Sequence, residues 1–138
     1  MNNREEVKIV ARYLDGRVIK GTSLNFSPSR GMFVLRPVGA PPEDEPLTIA
    51  LRELKAVFFV RDFGGNPNYN DRKEFNKRPV GRAIAVTFTD GEVIVGSSVT
   101  YDPARPGFFL FPADPDSNNE RIYVVSTAVQ RVEKIGAS

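Results

Sequence analysis

The chain of 138 residues contains no cysteine and no histidine. It therefore has neither a disulfide framework nor the thiolate and imidazole ligands that zinc uses most often. It also lacks the cysteine nucleophile and the imidazole base of hydrolytic triads. No apolar run approaches the roughly 20 residues that span a bilayer, and the amino terminus has no apolar core of signal-peptide length. These absences predict a non-enzymatic, cytoplasmic protein that uses no metal and no cofactor.

What the chain does contain is an internal repeat. The 23 residues from Asp15 to Pro37 recur without a gap 75 positions later, from Asp90 to Pro112, with 11 identical positions. Self-similarity at a fixed offset indicates a repeated structural unit. The match extends to residues 9–60 and 84–135, and each copy is too small to bury a generous core alone. We therefore expect the two copies to pack together.

Both copies have the pattern of short strands joined by turns. In residues 7–13 and 82–88, β-branched and aromatic residues alternate partly with smaller or polar ones, which is typical of strands. Each run is followed by an Asp-Gly pair, which favours a tight hairpin turn. Three more strands are predicted in each copy, and neither copy has a helical period of useful length. Gly21 and Gly96, at matching positions, would let the second strands bend as a small barrel requires.

The sequence therefore predicts an all-β protein, a tandem duplication of a five-stranded small barrel with its two halves packed together. Residues 1–60 are assigned to the first repeat, 61–83 to a linker or insert, and 84–138 to the second repeat.

The last strands of the two copies differ. Residues 57–60 are apolar at every position, whereas residues 132–135 keep two charges between apolar residues. Because neighbouring residues of a strand lie on opposite faces, the first strand should be covered on both faces and the second on one. Residues 108–111 are also apolar throughout. We expect these runs to lie at an interface between halves or between protomers, and its candidate residues are Phe58, Phe59, Phe109 and Phe111.

The insert holds the densest basic cluster, with aromatic residues interleaved. Such a cluster could contact phosphates and stack bases, although a solvated linker face is the simpler explanation. Arg30 and Arg105 occupy equivalent turns and could form a twofold anion site, or could pair with nearby carboxylates such as Asp102. The Asp114-x-Asp116-x-Asn118 segment lacks the later glycine and glutamate of a calcium loop. The candidate ligand-binding residues are Arg30, Arg105, Arg72, Lys73, Lys77, Arg78 and Tyr69.

Two resemblances rest on these residues. A strand, an Asp-Gly turn, a strand with an internal glycine and a third apolar strand resemble the first motif of Sm-like and related SH3-like barrels. That resemblance implies such a barrel for each copy, but neither copy has a counterpart of the loop residues with which Sm-like proteins bind RNA. The segments SPSRGMFVLRP, LRELKAVFFVRDF and DPARPGFFLFPADPDSNN resemble a bacterial domain family of unknown function that stands alone or beside PilZ and other signalling modules.

The second resemblance implies a bacterial signalling or regulatory setting. A PilZ domain itself binds cyclic di-GMP through an RxxxR stretch and a D/N-x-S-x-x-G turn. Here Asn25-Phe26-Ser27 begins that turn, but its glycine, Gly31, comes one residue late. The sequence as a whole predicts a binding or adaptor module that acts by protein–protein interaction, including self-association. The alternative is binding of nucleic acid or a cyclic dinucleotide through the basic insert and the two equivalent arginines.

Overall fold

The computed structural model describes residues 6–65, 69, 71–75 and 79–135. Its regular structure consists of ten β-strands and three short 3-10 helices, so the all-β prediction is confirmed. The 3-10 helices span Pro28–Arg30, Leu51–Glu53 and Ser126–Ala128. The strands are β1 (Val7–Tyr13), β2 (Val18–Ser23), β3 (Met32–Pro37), β4 (Leu47–Ala50), β5 (Leu54–Val60), β6 (Arg82–Phe88), β7 (Val93–Ser98), β8 (Gly107–Pro112), β9 (Asn119–Val125) and β10 (Val129–Lys134).

The ten strands form one antiparallel sheet in the order β10-β6-β7-β8-β9-β5-β1-β2-β3-β4. The sheet is open, with β4 at one end and β10 at the other, so the two packed five-stranded barrels that the sequence predicts are not confirmed. The halves meet where β5 pairs with β9. Pairing with β9 gives β5 a neighbour on its second edge and places it between the halves, where side chains of the two cores cover both of its apolar faces.

The two halves have the same strand order and the same registers. Each strand pairing described within the first half recurs in the second half with every residue number raised by 75. Ile9 faces Gly21, for example, and Ile84 faces Gly96. The first hairpin of each half turns at a glycine with φ of 95°. The Asp-Gly pairs of the sequence therefore identified both turns correctly, because glycine adopts a positive φ without strain.

Two hydrophobic cores lie on opposite sides of the central strands. Val57 and Phe59 of β5 belong to the first core, together with side chains of β1, β3 and β4. Ala56, Phe58 and Val60 belong to the second core, together with side chains of β6 and β8. Strand β9 also contributes alternate residues to the two cores. The period of two in a strand thus makes β5 and β9 structural members of both halves.

The final strands of the two halves have the burial that their sequences predicted. Every residue of β5 is buried. Strand β10 has no buried residue, and its charged side chains are exposed. The difference follows from position, because β5 has neighbours on both edges while β10 pairs with β6 alone among the described strands.

Candidate functional site

Strand β4 ends the sheet, so the edge that faces away from β3 has no neighbouring strand in the described part of the chain. The equivalent strand of the second half, β9, has β8 on one side and β5 on the other. The outer edge of the fourth strand is therefore paired in the second half and, among the described residues, unpaired in the first. An unpaired edge presents backbone donors and acceptors to an incoming strand.

The side chain of Leu47 on β4 is exposed because no described strand pairs with the outer edge of β4. Leu47 pairs with Leu35 on β3, as the equivalent Ile122 pairs with Leu110 on β8. Ile122 lies opposite Phe58 of β5 and is 0% exposed, whereas Leu47 is 42% exposed. The side chain at this position is buried only where a strand has been added next to it.

Further apolar surface surrounds this end of the sheet. Leu24, Val34 and Pro46 line an open groove of about 360 Å³ beside β3. Met32 and Val34 alternate along β3 with the buried residues Phe33 and Leu35, so they lie on the face of the sheet opposite to Leu47. The large exposed apolar side chains around β3 and β4 are Leu24, Met32, Val38 and Leu47. We call these four residues, together with the free edge of β4, the β4 surface.

An acidic loop precedes β4. Residues 43–45, with the sequence Glu-Asp-Glu, are exposed. Glu45 is equivalent to Glu120, and in the second half Glu120 Oε2 lies 3.3 Å from Nη1 of Arg61, directly after β5. The backbone amide of Arg61 also donates to the carbonyl of Asn118 at 2.8 Å. Between the described residues no ion pair involves Glu45, although the Arg36 guanidinium donates to the carbonyl oxygen of Asp44 in the same loop at 3.3 Å.

A second feature is the clamp that holds the insert, and its centre is Asp114. The Asp114 side chain is 0% exposed. Its carboxylate accepts hydrogen bonds from the Tyr69 hydroxyl, from the Arg72 amide at 2.8 Å and from Arg72 Nη2 at 3.1 Å. Arg72 Nη2 also lies 2.8 Å from Asp116 Oδ2. Tyr69 and Arg72, which the sequence suggested as ligand-binding residues, thus anchor the insert to the loop between β8 and β9.

Asp114 is ionised in this clamp. Burial acts to raise the pKa of its carboxyl, but the Arg72 amide, the Tyr69 hydroxyl and the Arg72 guanidinium donate to it and hold the pKa well below its usual range. The hydrogen bond to Asp114 in turn raises the pKa of the Tyr69 hydroxyl. The same loop fixes the start of the insert, because the Asp62 amide donates to Asn118 Oδ1 at 3.0 Å.

Between the insert and the sheet lies an open cleft of about 390 Å³, which we call the insert cleft. Its lining includes Phe58 and two cations, Arg12 and Lys20. The Arg12 guanidinium lies 5.5 Å from the centre of the Phe58 ring, and Lys20 Nζ donates to the carbonyl of Phe63 at 3.1 Å. Lys73 lines an adjoining cleft of about 250 Å³ that also reaches Phe58.

The remaining candidate ligand residues are not gathered at one place. Arg30 ends the 3-10 helix before β3 and Arg105 lies in the loop before β8, so they belong to different halves, and neither lines the insert cleft. Arg105 Nε lies 3.7 Å from Asp102 Oδ2, an exposed pair of the kind that contributes little stability. Lys77 and Arg78 lie outside the described residues.

The four candidate interface phenylalanines divide between core and surface. Phe58 and Phe59 are buried on opposite faces of β5, and Phe109 is half-buried. The rings of Phe59 and Phe109 lie 6.3 Å apart, although β9 separates their strands in the sheet. These three residues therefore lie where the halves join. Phe111 is 44% exposed and belongs to neither core.

The sequence reasoning missed Lys55, Asp114 and the β4 surface. Lys55 lies on β5 and is only 8% exposed, and its ammonium group lies 2.7 Å from Asp90 Oδ2 and also contacts Glu92. A lysine inside the apolar run of β5 was a visible signal for a buried ion pair. The signal for Asp114 is a difference between the copies, because the first copy has a glycine, Gly39, at the equivalent position.

Residues 5–136 match the family of unknown function designated DUF6982. Neither a curated protein nor a solved structure matches the chain. No helix within the described ranges is long and apolar enough to cross a membrane. In the same part of the chain, no group of three or more acidic side chains is arranged so that it could hold a metal ion.

Proposed function

The chain belongs to this family of unknown function, and we propose that it is a non-enzymatic binding module whose β4 surface accepts an extended segment of a protein partner. The observation that carries the proposal is the contrast between Leu47 and Ile122, which occupy the same position in the two halves. Ile122 lies between β8 and the added strand β5, whereas Leu47 has the equivalent pairing partner on β3 and no strand on its other side among the described residues.

Strand addition is a general mode of protein recognition. The backbone hydrogen bonds of the incoming strand provide affinity, and pockets for alternate side chains provide specificity. The groove lined by Leu24, Val34 and Pro46 lies on the face of β3 opposite to Leu47, and alternate side chains of an incoming strand would project toward that face. The two halves themselves are joined in this way, since β5 adds to the edge of β9.

The wider setting is also part of the proposal. The shared registers support descent of both halves from one duplicated five-stranded unit of Sm-like or SH3-like type, which later became one open sheet. The resemblance to domains found beside PilZ modules supports a bacterial cytoplasmic signalling or regulatory system as the place of action. Fold alone does not determine function, so the partner must be identified at the site.

The experiment is a selection of peptides that bind the full chain from a library of displayed ten-residue peptides. Selected peptides should lose about tenfold or more in affinity for a Leu47→Lys variant, because a charge then faces the incoming strand. Val99→Lys is the matched control, because Val99 is an exposed apolar residue of the second half and lies outside the β4 surface. The amides of β4 should also gain protection from hydrogen exchange when a selected peptide is added.

The proposal is wrong if selected peptides bind Leu47→Lys and wild-type protein equally well. It is also wrong if the protected amides lie elsewhere in the chain, or if no peptide binds at all.

A second candidate function, binding of nucleic acid or a cyclic dinucleotide, is favoured by the insert cleft. Arg12 and Lys20 lie in its lining, and two neighbouring cations suit the phosphate groups of such a ligand. Two carboxylates, Asp71 and Glu92, line the same cleft and oppose an anionic ligand, which places this candidate second.

Salt dependence separates the two candidates. Binding to phosphates falls steeply with ionic strength, by about one logarithmic unit per contact for each tenfold rise in salt, whereas an apolar strand site responds weakly. Cyclic di-GMP and a single-stranded oligonucleotide are the probes, measured at low and high salt. A variant with Arg12→Ser, Lys20→Ser and Lys73→Ser should lose that binding, and equal affinity of wild type and variant would exclude the cleft.

A further inference from the structure

We propose that the segment recognised by the β4 surface is an antiparallel strand with a bulky apolar residue opposite Leu47 and an arginine or lysine three residues further on, beside Glu45. This inference rests on the proposed function and adds the sequence class of the partner. The internal pairing of β5 with β9 supplies the template, since β9 is the counterpart of β4.

The register of β5 on β9 transfers directly to β4. Phe58 lies opposite Ile122, so the corresponding residue of a partner lies opposite Leu47. Ala56 lies opposite Val124, whose counterpart is Ile49. An incoming strand in this register continues the first core outward and covers the exposed part of Leu47. Cross-strand pairs of apolar residues are the main source of stability at such a junction.

The charge requirement comes from the residue that follows β5. Arg61 stands three residues after Phe58 and pairs with Glu120, and Glu45 is the identical residue at the equivalent place. The neighbouring Glu43 and Asp44 add negative charge to the same loop. A basic side chain at the end of the partner strand is therefore attracted, and an acidic one is repelled.

The same comparison argues against a second copy of the chain as the occupant. In the transferred register, β10 of another molecule would place Glu133 against Leu47, where β5 provides Phe58 for Ile122. Charges at free strand edges prevent such self-pairing and leave the edge open to a partner of opposite charge.

The probe is a synthetic peptide with the sequence of residues 54–61, carrying Lys55→Thr to remove a second cation, a fluorophore and a solubilising polyethylene glycol tail. Its binding to the full chain is measured by fluorescence anisotropy. The peptide should bind wild type, and a version with Arg61→Glu should bind about five- to tenfold more weakly. A version with Phe58→Ser should lose about tenfold or more.

A charge reversal in the protein gives the decisive comparison. The Glu45→Lys variant should lose most of the preference of wild type for the Arg peptide over the Glu peptide, although Glu43 and Asp44 remain in the loop. Glu74→Lys is the matched control, since Glu74 is an exposed carboxylate of the insert and lies outside the β4 surface, and its peptide preference should equal that of wild type. Both substitutions lie on the surface, and circular dichroism checks that each variant is folded.

The outcomes separate this inference from the proposed function. If peptides bind at β4 but the Glu45→Lys variant keeps the wild-type preference, the partner class is wrong and strand binding stands. If neither the probe nor any library peptide binds at β4, both proposals fail. Sedimentation velocity gives the third outcome: concentration-dependent self-association that Leu47→Lys abolishes would show that a second copy is the occupant and would overturn the inference.

Discussion

Lys55 on β5 lies with its Nζ 2.7 Å from Oδ2 of Asp90, in the hairpin between β6 and β7. The pair crosses from one half to the other, and Glu92 of the same hairpin is a second partner. The lysine is buried, while roughly half of each carboxylate side chain remains exposed. The ammonium group also lies 4.7 Å from the centre of the Phe88 ring. Loss of the carboxylates would therefore leave a buried cation, whereas loss of the lysine would leave carboxylates that are in contact with water.

Removing the carboxylates should destabilise the protein more than removing the lysine. The double variant Asp90→Asn, Glu92→Gln leaves a buried cation without its partners and should lower the free energy of unfolding by about 2–3 kcal/mol. Lys55→Met leaves two carboxylates that water can solvate and should cost about 1 kcal/mol or less. Urea unfolding measures both values, with Glu133→Gln as a surface control. The reverse order would contradict the described burial of Lys55.

Replacing Asp114 with asparagine should loosen the insert. The variant keeps the shape of the side chain but loses the charge that Arg72 and Tyr69 bind, and we expect a loss of about 1–3 kcal/mol in unfolding free energy. Trypsin should then cleave after Lys73 about tenfold faster than in wild type, because local opening becomes easier. Mass spectrometry identifies the cut. Asp116→Asn, which removes an exposed partner of Arg72, is the control and should change the rate little.

The contribution of Asp114 should disappear in acid. Because its pKa is lowered by folding from an ordinary value of 3.8, the unfolded chain takes up the proton first as the pH falls. The stabilisation is therefore complete above the unfolded pKa and is lost as the pH falls through the range below it. The difference in melting temperature between wild type and Asp114→Asn should be constant above about pH 5 and should narrow progressively as the pH falls below about 4. A difference that does not narrow in acid would show that the carboxylate does not act through its charge.

Gly21→Ala and Gly96→Ala should have similar costs. A β-carbon on either glycine would clash with a backbone oxygen of the next strand, that of Arg36 or Phe111. We expect each variant to lose about 1–3 kcal/mol of unfolding free energy, as in overpacked cores. Gly64→Ala is the control, since the nearest atoms would lie 3.9 Å away. A large cost at one glycine alone would show that the two bends are packed differently.

Much of the fold could be predicted because the signals were local. The Asp-Gly turns and the apolar alternation located both first hairpins, and the offset of 75 correctly related the other strands of the two halves. The pairing of β5 with β9 could not be predicted in this way. A strand that is apolar on both faces must be covered on both, but this pattern does not say which strand lies beside it.

The site was harder to predict because its signals are differences between the copies. Tyr69 and Arg72 were noticed for their chemistry, but their partner Asp114 was considered only as part of a calcium loop. Leu47 resembles Ile122 in sequence, and only the absence of a neighbouring strand distinguishes them. Whether a strand lies beside Leu47 or Ile122 depends on which strands of the two halves pair, and a local sequence pattern does not contain that information.

The sharing of β5 between two cores makes the halves inseparable as folding units. A fragment that ends within the insert keeps β5 but loses β9 and the side chains that cover Phe58. The remaining fragment keeps β9 but loses β5, which pairs with it and contributes to the second core. Each fragment alone would expose a long hydrophobic strand edge and aggregate, whereas the two mixed together should reassemble like subunits. A gene fragment that encodes one half alone would therefore not give a folded protein, so the two repeats must be inherited together.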